Sequence, residues 1–385
     1  MKKLTKVLSL LLIAAMVLVL AACGTDPATP DTPEPSSTAA AEFVVPADFK
    51  VGILHISSVA IHSGYTWAHH SGFLAMVEEL GLKADQVVVK DDVADTDVTA
   101  TKQALQELVD ADCKLIFATS YNYMNSVNEF ADKYPDVIFS HCSGYLSNTT
   151  NFNNYFGRIY EARYLAGIAA GLKMKADGKT LAGYVAAMDS TNSEVTGGVN
   201  AWALGIQSVL PEAEVKIKVT NSWYDPEAEG AAAQALIDAG AYVIGQHCDT
   251  ENPQLKAAAA KVFGVGYNTD MTTDTTAASH IIAPVWNWSV YYTETTKAVA
   301  GGTWKAENYY GGTAEGLIAL SPLNTAIAAE GTQAALDAAR AAILDGTLIV
   351  FNNFTKADGT VVSTPLTDAE ITGGIDYYVK GVSLL

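Results

Sequence analysis

The sequence predicts an α/β protein built as two successive open, doubly wound parallel sheets joined by a hinge. Three observations carry this. Short apolar, β-branched runs alternate with helical patterns, which is the rhythm of parallel strands covered by crossover helices. The alternation runs once, meets a long helix, and starts again. About 340 residues follow a non-globular leader, more than a single hydrophobic core usually organises.

In chain order, "KVGILHI" (50–56) reads as the first strand and precedes a helix from Tyr65 to Leu80. "QVVVK" (86–90) precedes a helix from Val98 to Asp110, and "KLIFATS" (114–120) precedes "NSVNEFADKY". "DVIFSHC" (136–142) and "NNYFGR" (153–158) complete the first set. The long helix "IYEARYLAGIAAGLKMK" then leads to "TLAGYVAA" (180–187), a helix over 195–209, "EVKIKVTNS" (214–222) and a helix over 226–239. "YVIGQHC" (242–248), a helix over 253–262, "FGVGYNTD" (263–270) and "SHIIAPVW" (279–286) close the second set. The helix 289–300 returns to the first lobe. Residues 45–157 with about 289–320 thus form one lobe and 158–288 the other. Segment 321–385 holds one amphipathic helix, "TQAALDAARAAILDG", and the strand candidates "LIVF" and "TVVST"; its lobe is left open.

The leader is informative. Lys2, Lys3 and Lys6 precede an apolar run from Val7 to Ala22, the pattern of a secretory signal. Cys23 directly after "LAA" resembles a bacterial lipobox, which makes Cys23 the lipidated first residue of the mature chain. A spanning anchor is the alternative, but the run is short for the roughly 20 residues a bilayer needs. Residues 24–44, rich in Pro, Thr, Ser and Ala, carry no apolar period and read as a solvated tether.

A formal net charge of −19 argues against a nucleic-acid partner, which would need a basic face. Beyond Cys23 only Cys113, Cys142 and Cys248 remain, with no CxxC, so no disulfide framework is implied.

Ligands of open parallel sheets lie beyond the carboxyl ends of the strands. Seven such ends read "SSVAIHSGYTW", "YNYMN", "SGY", "WYDP", "DTENP", "MTTD" and "NWSVYY". They bring aromatics, hydroxyls, amides and carboxylates to one edge. His69 and His70 point about 100° apart on a helix and cannot readily share a metal; His62, His141 and His247 lack ligand spacing, so no metal and no cofactor is expected. No GxSxG elbow or GxGxxG fingerprint is present, so no enzyme is expected. Trp67 and Trp223, at strand ends of different lobes, suit a clamp on a flat π-system such as a purine. Tyr65, Ser120, Tyr121, Asn122, Ser143, Asp249, Asn268 and Asp270 supply edge donors and acceptors. Trp286 and Trp288 flank Asn287 at an interlobe crossing and are candidates for ligand contact or hinge packing.

These stretches resemble the basic membrane protein (BMP) family of ABC-importer substrate-binding lipoproteins, which includes purine-nucleoside receptors. The likeness covers about residues 48–350. "NNYFGRIYEARYLAGIAAGLKMK" is similar to the family's hinge and "YLAG" helix, "GGVNAWALGIQSV" to its "GF..G" helix, and "GVGYNTDM" to its "GVDsDq" loop. The resemblance implies a bilobed type I periplasmic-binding-protein fold and an ABC permease partner. It implies a monomer anchored through Cys23 on the outer face of a bacterial cell membrane. It places the family's two stacking aromatics on Trp67 and Trp223 and its last loop aspartate on Asp270, with Asn268 replacing an earlier one. Nucleoside receptors of the family carry an acidic cluster before the first stacking residue. "HISSVAIHSGYT" has none, so the resemblance points to a free purine base such as adenine. A nucleoside receptor, a secreted nucleoside-acting enzyme, and a sugar receptor or an amino-acid receptor (the last using Arg158 or Arg163 for the carboxylate) are the alternatives.

Overall fold

The computed structural model describes residues 43–385, with Val44–Leu385 as one unit. The signal, Cys23 and nearly all of the tether lie outside the described residues.

The first alternation gives β1 (Val51–Leu54), α1 (Gly64–Glu79), β2 (Val87–Lys90), α2 (Val98–Asp110), β3 (Leu115–Ala118), α3 (Met124–Lys133), β4 (Ile138–Cys142) and β5 (Phe152–Gly157). The second gives α4 (Ile159–Ala176), β6 (Leu181–Ala186), α5 (Ser193–Val209), β7 (Glu214–Val219), α6 (Pro226–Asp238), β8 (Val243–His247), α7 (Asn252–Ala260), β9 (Phe263–Val265) and β10 (His280–Ile282). Next come β11 (Pro284–Trp286), α8 (Trp288–Ala300), β12 (Tyr309–Gly311), β13 (Ile318–Leu320) and α9 (Thr332–Leu344). The last elements are β14 (Phe354–Thr355), β15 (Val361–Val362), α10 (Asp368–Gly374) and β16 (Val382–Leu384).

Each half folds into a six-stranded, all-parallel sheet. The first runs β2-β1-β3-β4-β5-β12 and the second β10-β9-β8-β6-β7-β16. Central strands such as β1, β3 and β8 are buried along their whole length, because helices cover both faces. Side-chain caps start three of the crossover helices, α2, α5 and α6, where the strands end. Asp97 accepts from Thr99 and Ala100 N–H, Asn192 from Val195, and Asp225 from Glu227 and Ala228 with Pro226 behind it. Each cap of this kind stabilises a helix start by about 1 kcal/mol.

The stretch "SHIIAPVW" is two strands rather than one. Pro284 has no N–H to continue the ladder, and the chain leaves the second sheet there. As β11 it pairs antiparallel with β13. With the β5–α4 link at Arg158, these two strands make three crossings between the lobes. "LIVF" is not a strand. Val350 and Phe351 instead bury their side chains in the core of the second lobe. Residues 321–385 pack on that lobe throughout: Leu336, Phe354, Ile371 and Val382 join its core, and β16 pairs with β7.

The two long helices α4 and α5 touch backbone to backbone. A Cβ at Gly205 would drive into the Tyr164 carbonyl oxygen, and one at Gly167 into that of Trp202. Those glycines let the hinge helix lie flat on the second lobe.

Candidate ligand-binding cleft

Because every strand of each sheet runs the same way, all the strand ends open on one edge, and the two edges face each other. A central chamber of about 140 Å³ lies between them. Two wider chambers of about 520 and 610 Å³ flank it and share its walls. The first lobe lines the centre with Ile56, Tyr65, Asp95, Ser120, Tyr121, Asn122, Ser143 and Phe156. From the second come Asn192, Glu194, Trp223, Asp249 and Tyr267. Aromatic rings therefore stand on both sides.

The polar groups are held in set directions. Asp95 accepts from Ser120 Oγ at 2.6 Å and Asn122 Nδ2 at 3.1 Å, so two wall residues orient it. Asp249 is buried and its Oδ1 accepts from Asn268 Nδ2 at 2.9 Å. Asn268 has a left-handed backbone (φ 68°) that turns its amide to this task. Burial, then the charge of Glu229, pushes the Asp249 carboxyl well above the usual range, against the pull of the Asn268 donor.

Glu194 sits in the first turn of α5, with its side chain 29% exposed towards the cleft. Burial pushes its carboxyl up to about 7, and Arg163 opposes that shift. Burial also keeps His247 neutral, its pKa well below the usual value; its Nε2 lies 3.4 Å from Glu194 Oε1. Arg163 is fully buried beneath Tyr267, 3.9 Å from the ring centroid, and donates to Tyr184 Oη and the Gln246 carbonyl.

The raised Glu194 fixes the sign of a pH effect. Its stabilising contribution is present below the ordinary carboxylate range near 4.5 and is lost as pH rises through about 7. Glu194→Gln should therefore raise the melting temperature by a few degrees at pH 8 and leave it nearly unchanged at pH 4.5. Calorimetry at the two pH values checks this; an equal shift at both would assign the effect to packing.

Seven of the residues picked from sequence line the central chamber: Tyr65, Ser120, Tyr121, Asn122, Ser143, Trp223 and Asp249. Asn268 stands behind Asp249. Others lie elsewhere. Trp67 stacks on His62, centroids 4.3 Å apart, and lines none of the three chambers. Two positions along a helix rotate a side chain by about 200°, so Tyr65 and Trp67 cannot share a face. Asp270 is exposed and accepts from Thr272 N–H, because the loop after β9 stays buried only through Asn268 and then turns outward. Trp286 and Trp288 form a stack with His69 at the hinge, with centroid steps of 4.4 and 4.3 Å. His69 is buried in that stack and pairs with Tyr292 Oη. Among the described residues no group of three His, Cys, Asp or Glu side chains could hold a metal, and Cys113, Cys142 and Cys248 are free thiols.

Ile56, Phe156 and Tyr267 line the chamber without having been sequence candidates, as do three polar residues, Asp95, Asn192 and Glu194. The polar three come after β2 and β6, two strands that are not among the seven whose ends point to the site in the sequence. The same rule applied to those two ends identifies all three. Asp95 also places a first-lobe carboxylate in the cleft, from the loop beyond β2 rather than from the stretch "HISSVAIHSGYT", which carries none.

Gly64 (φ 76°) opens α1 beside this cleft, where the two lobes come into contact. A Cβ there would drive into the Asp249 carbonyl oxygen and stand 3.2 Å from its carbon. First-lobe backbone thus rests on second-lobe backbone at the cleft wall.

Residues 49–350 match the family described as ABC transporter substrate-binding protein, PnrA-like. A purine-binding protein of Brucella abortus is 33% identical over 86% of this chain and 92% of its own. A putative ABC transporter glucose-binding protein of Haloferax volcanii is 35% identical over 66% of this chain and 62% of its own. An ABC transporter solute-binding protein of Aeropyrum pernix superposes with a TM-score of 0.66 at 17% identity, over 86% of this chain and all of its own. That likeness confirms the bilobed fold. Among the described residues no helix is long and apolar enough to cross a membrane.

Proposed function

Since this chain belongs to the PnrA-like family of ABC transporter substrate-binding proteins, we propose that it is an extracytoplasmic receptor which closes on a purine and delivers it to a membrane permease. Proteins of this family bind and hand over a solute rather than transform it.

One observation carries the purine reading. The central chamber has aromatic walls from both lobes and carboxylates from both lobes at its rim. Aromatic faces hold a flat ring by stacking, and carboxylates accept from its N–H edges. The likeness to the Brucella abortus purine-binding protein supports the same ligand. We place the base in the central chamber between Tyr65, Tyr121 and Phe156 on one side and Trp223 and Tyr267 on the other. Asp95, oriented by Ser120 and Asn122, is placed to receive hydroxyl donors in the adjoining space, so nucleosides belong beside free bases in the ligand class.

Titration calorimetry with adenine, guanine, hypoxanthine, adenosine and glucose tests this. Micromolar or tighter binding of at least one purine, with none of glucose, is the expected result. Glucose binding without purine binding would overturn it.

Cys23 is proposed as the lipid anchor and the monomer as the working form. Cys23→Ala should abolish metabolic labelling with palmitate and release the protein from membranes; persistent labelling would refute the anchor.

A further inference from the structure

Glu229 lies in the first turns of α6 and lines none of the three cleft chambers. Its side chain is completely buried. Among the described residues no lysine, arginine or histidine pairs with it. A buried carboxylate without a counter-ion is costly unless hydrogen-bond donors saturate it. Here three donors do. Oε1 accepts from Asp225 N–H at 3.0 Å, and Oε2 from Thr250 N–H at 3.1 Å and Thr250 Oγ at 2.6 Å.

The donors come from only two places. Asp225 lies two residues after Trp223, in the loop beyond β7. Thr250 follows Asp249 directly, in the loop beyond β8. A third link joins the same loops, from Asp249 N–H to the Trp223 carbonyl at 2.9 Å. Cutting the carboxylate from α6 would leave that single bond between them.

We propose that Glu229 is a positioning residue for the second-lobe half of the ligand site: it locks the Trp223 and Asp249 loops into one platform, fixing the stacking ring and the edge carboxylate at a set distance from each other. Charge-assisted hydrogen bonds suit this role, being shorter and more directional than neutral ones. A ligand that needs both groups then meets them ready-spaced instead of ordering two independent loops on binding. The proposal takes its ligand from the purine-receptor reading.

The test labels the protein with 5-fluorotryptophan. Its six tryptophans give six fluorine resonances, and Trp223→Phe assigns the one that matters. Glu229→Ala should shift or broaden the Trp223 resonance while those of Trp202, Trp286 and Trp288 stay in place. The same variant should bind adenine or adenosine at least tenfold more weakly. Glu229→Gln, which keeps a carbonyl for Thr250, should recover most of that loss. Thr250→Val removes one donor and should give a smaller change in the same direction. A Trp223 resonance that is unmoved in Glu229→Ala, or six resonances that move together, would overturn the positioning role. If Glu229→Ala does not fold, an unmoved resonance and unchanged affinity in Thr250→Val overturn it instead. Should the unaltered protein bind no purine, the ligand reading fails, and the resonances still decide whether the platform exists.

Discussion

Gly64→Ala is expected to hold the two lobes apart. Two costs act together. At φ 76° any residue with a Cβ sits in the left-handed region, at a penalty of roughly 1 kcal/mol or more. The added methyl also meets the carbonyl of Asp249, which is backbone and cannot swing aside as a flexible side chain would. Since Gly64 belongs to one lobe and Asp249 to the other, the simplest relief is to widen the cleft at that rim. Closure about the hinge is then incomplete. Affinity should fall by about tenfold or more, since each 1.4 kcal/mol of lost closure energy is a factor of ten. Small-angle scattering of the ligand-saturated variant should give a larger radius of gyration than the saturated parent. Equal radii with equal affinity would show that the contact plays no part in closing.

Trp223→Ala is expected to weaken purine binding by about 5- to 150-fold, the loss of about 1–3 kcal/mol of stacking. Trp67→Ala serves as the contrast. Its ring rests on His62 outside the three chambers, so its removal should change affinity less than threefold. Calorimetry on both variants checks the pair. A large loss in both variants would restore the clamp expected from sequence, and a large loss in Trp67→Ala alone would refute the geometry of the cleft. Tyr65→Ala, on the same helix but facing the chamber, should behave like Trp223→Ala.

Topology explains why much of the cleft is legible in the amino-acid sequence. Parallel strands put all their carboxyl ends on one edge, so the residues just after each strand are the residues of the cleft. Tyr65, Asn122, Trp223 and Asp249 come from that rule alone. Asp95 and Glu194 obey it too, at the ends of β2 and β6. What the rule lacks is rotation and reach. It treats Tyr65 and Trp67 alike although a helix turns them to different faces. It carries the β9 end on to Asp270, although only Tyr267 and Asn268 stay buried at the cleft and the chain reaches solvent by Asp270. The Trp286–Trp288–His69 stack is beyond it as well, because the break at Pro284 and the pairing of β11 with β13 join stretches more than thirty residues apart. The placement of residues 321–385 is hidden for the same reason. β16 carries only three residues, and its place is set by a partner strand far back in the chain.

That last pairing governs how the molecule can come into being. In both sheets an edge strand arrives late: β12 beside β5, and β16 beside β7. Synthesised or exported from its amino end, the chain presents five strands of the first sheet long before residues 309–311 exist to cover β5. The edge of β7 waits for residues 382–384. Exposed ladders of this kind are templates for wrong partners, and non-local pairings of such span slow a chain's search. The nascent polypeptide thus has a window of vulnerability whose length is set by translation or translocation rather than by either lobe's own folding rate. Holding the chain extended until its last strand has emerged is the task this architecture assigns to the cell's chaperones.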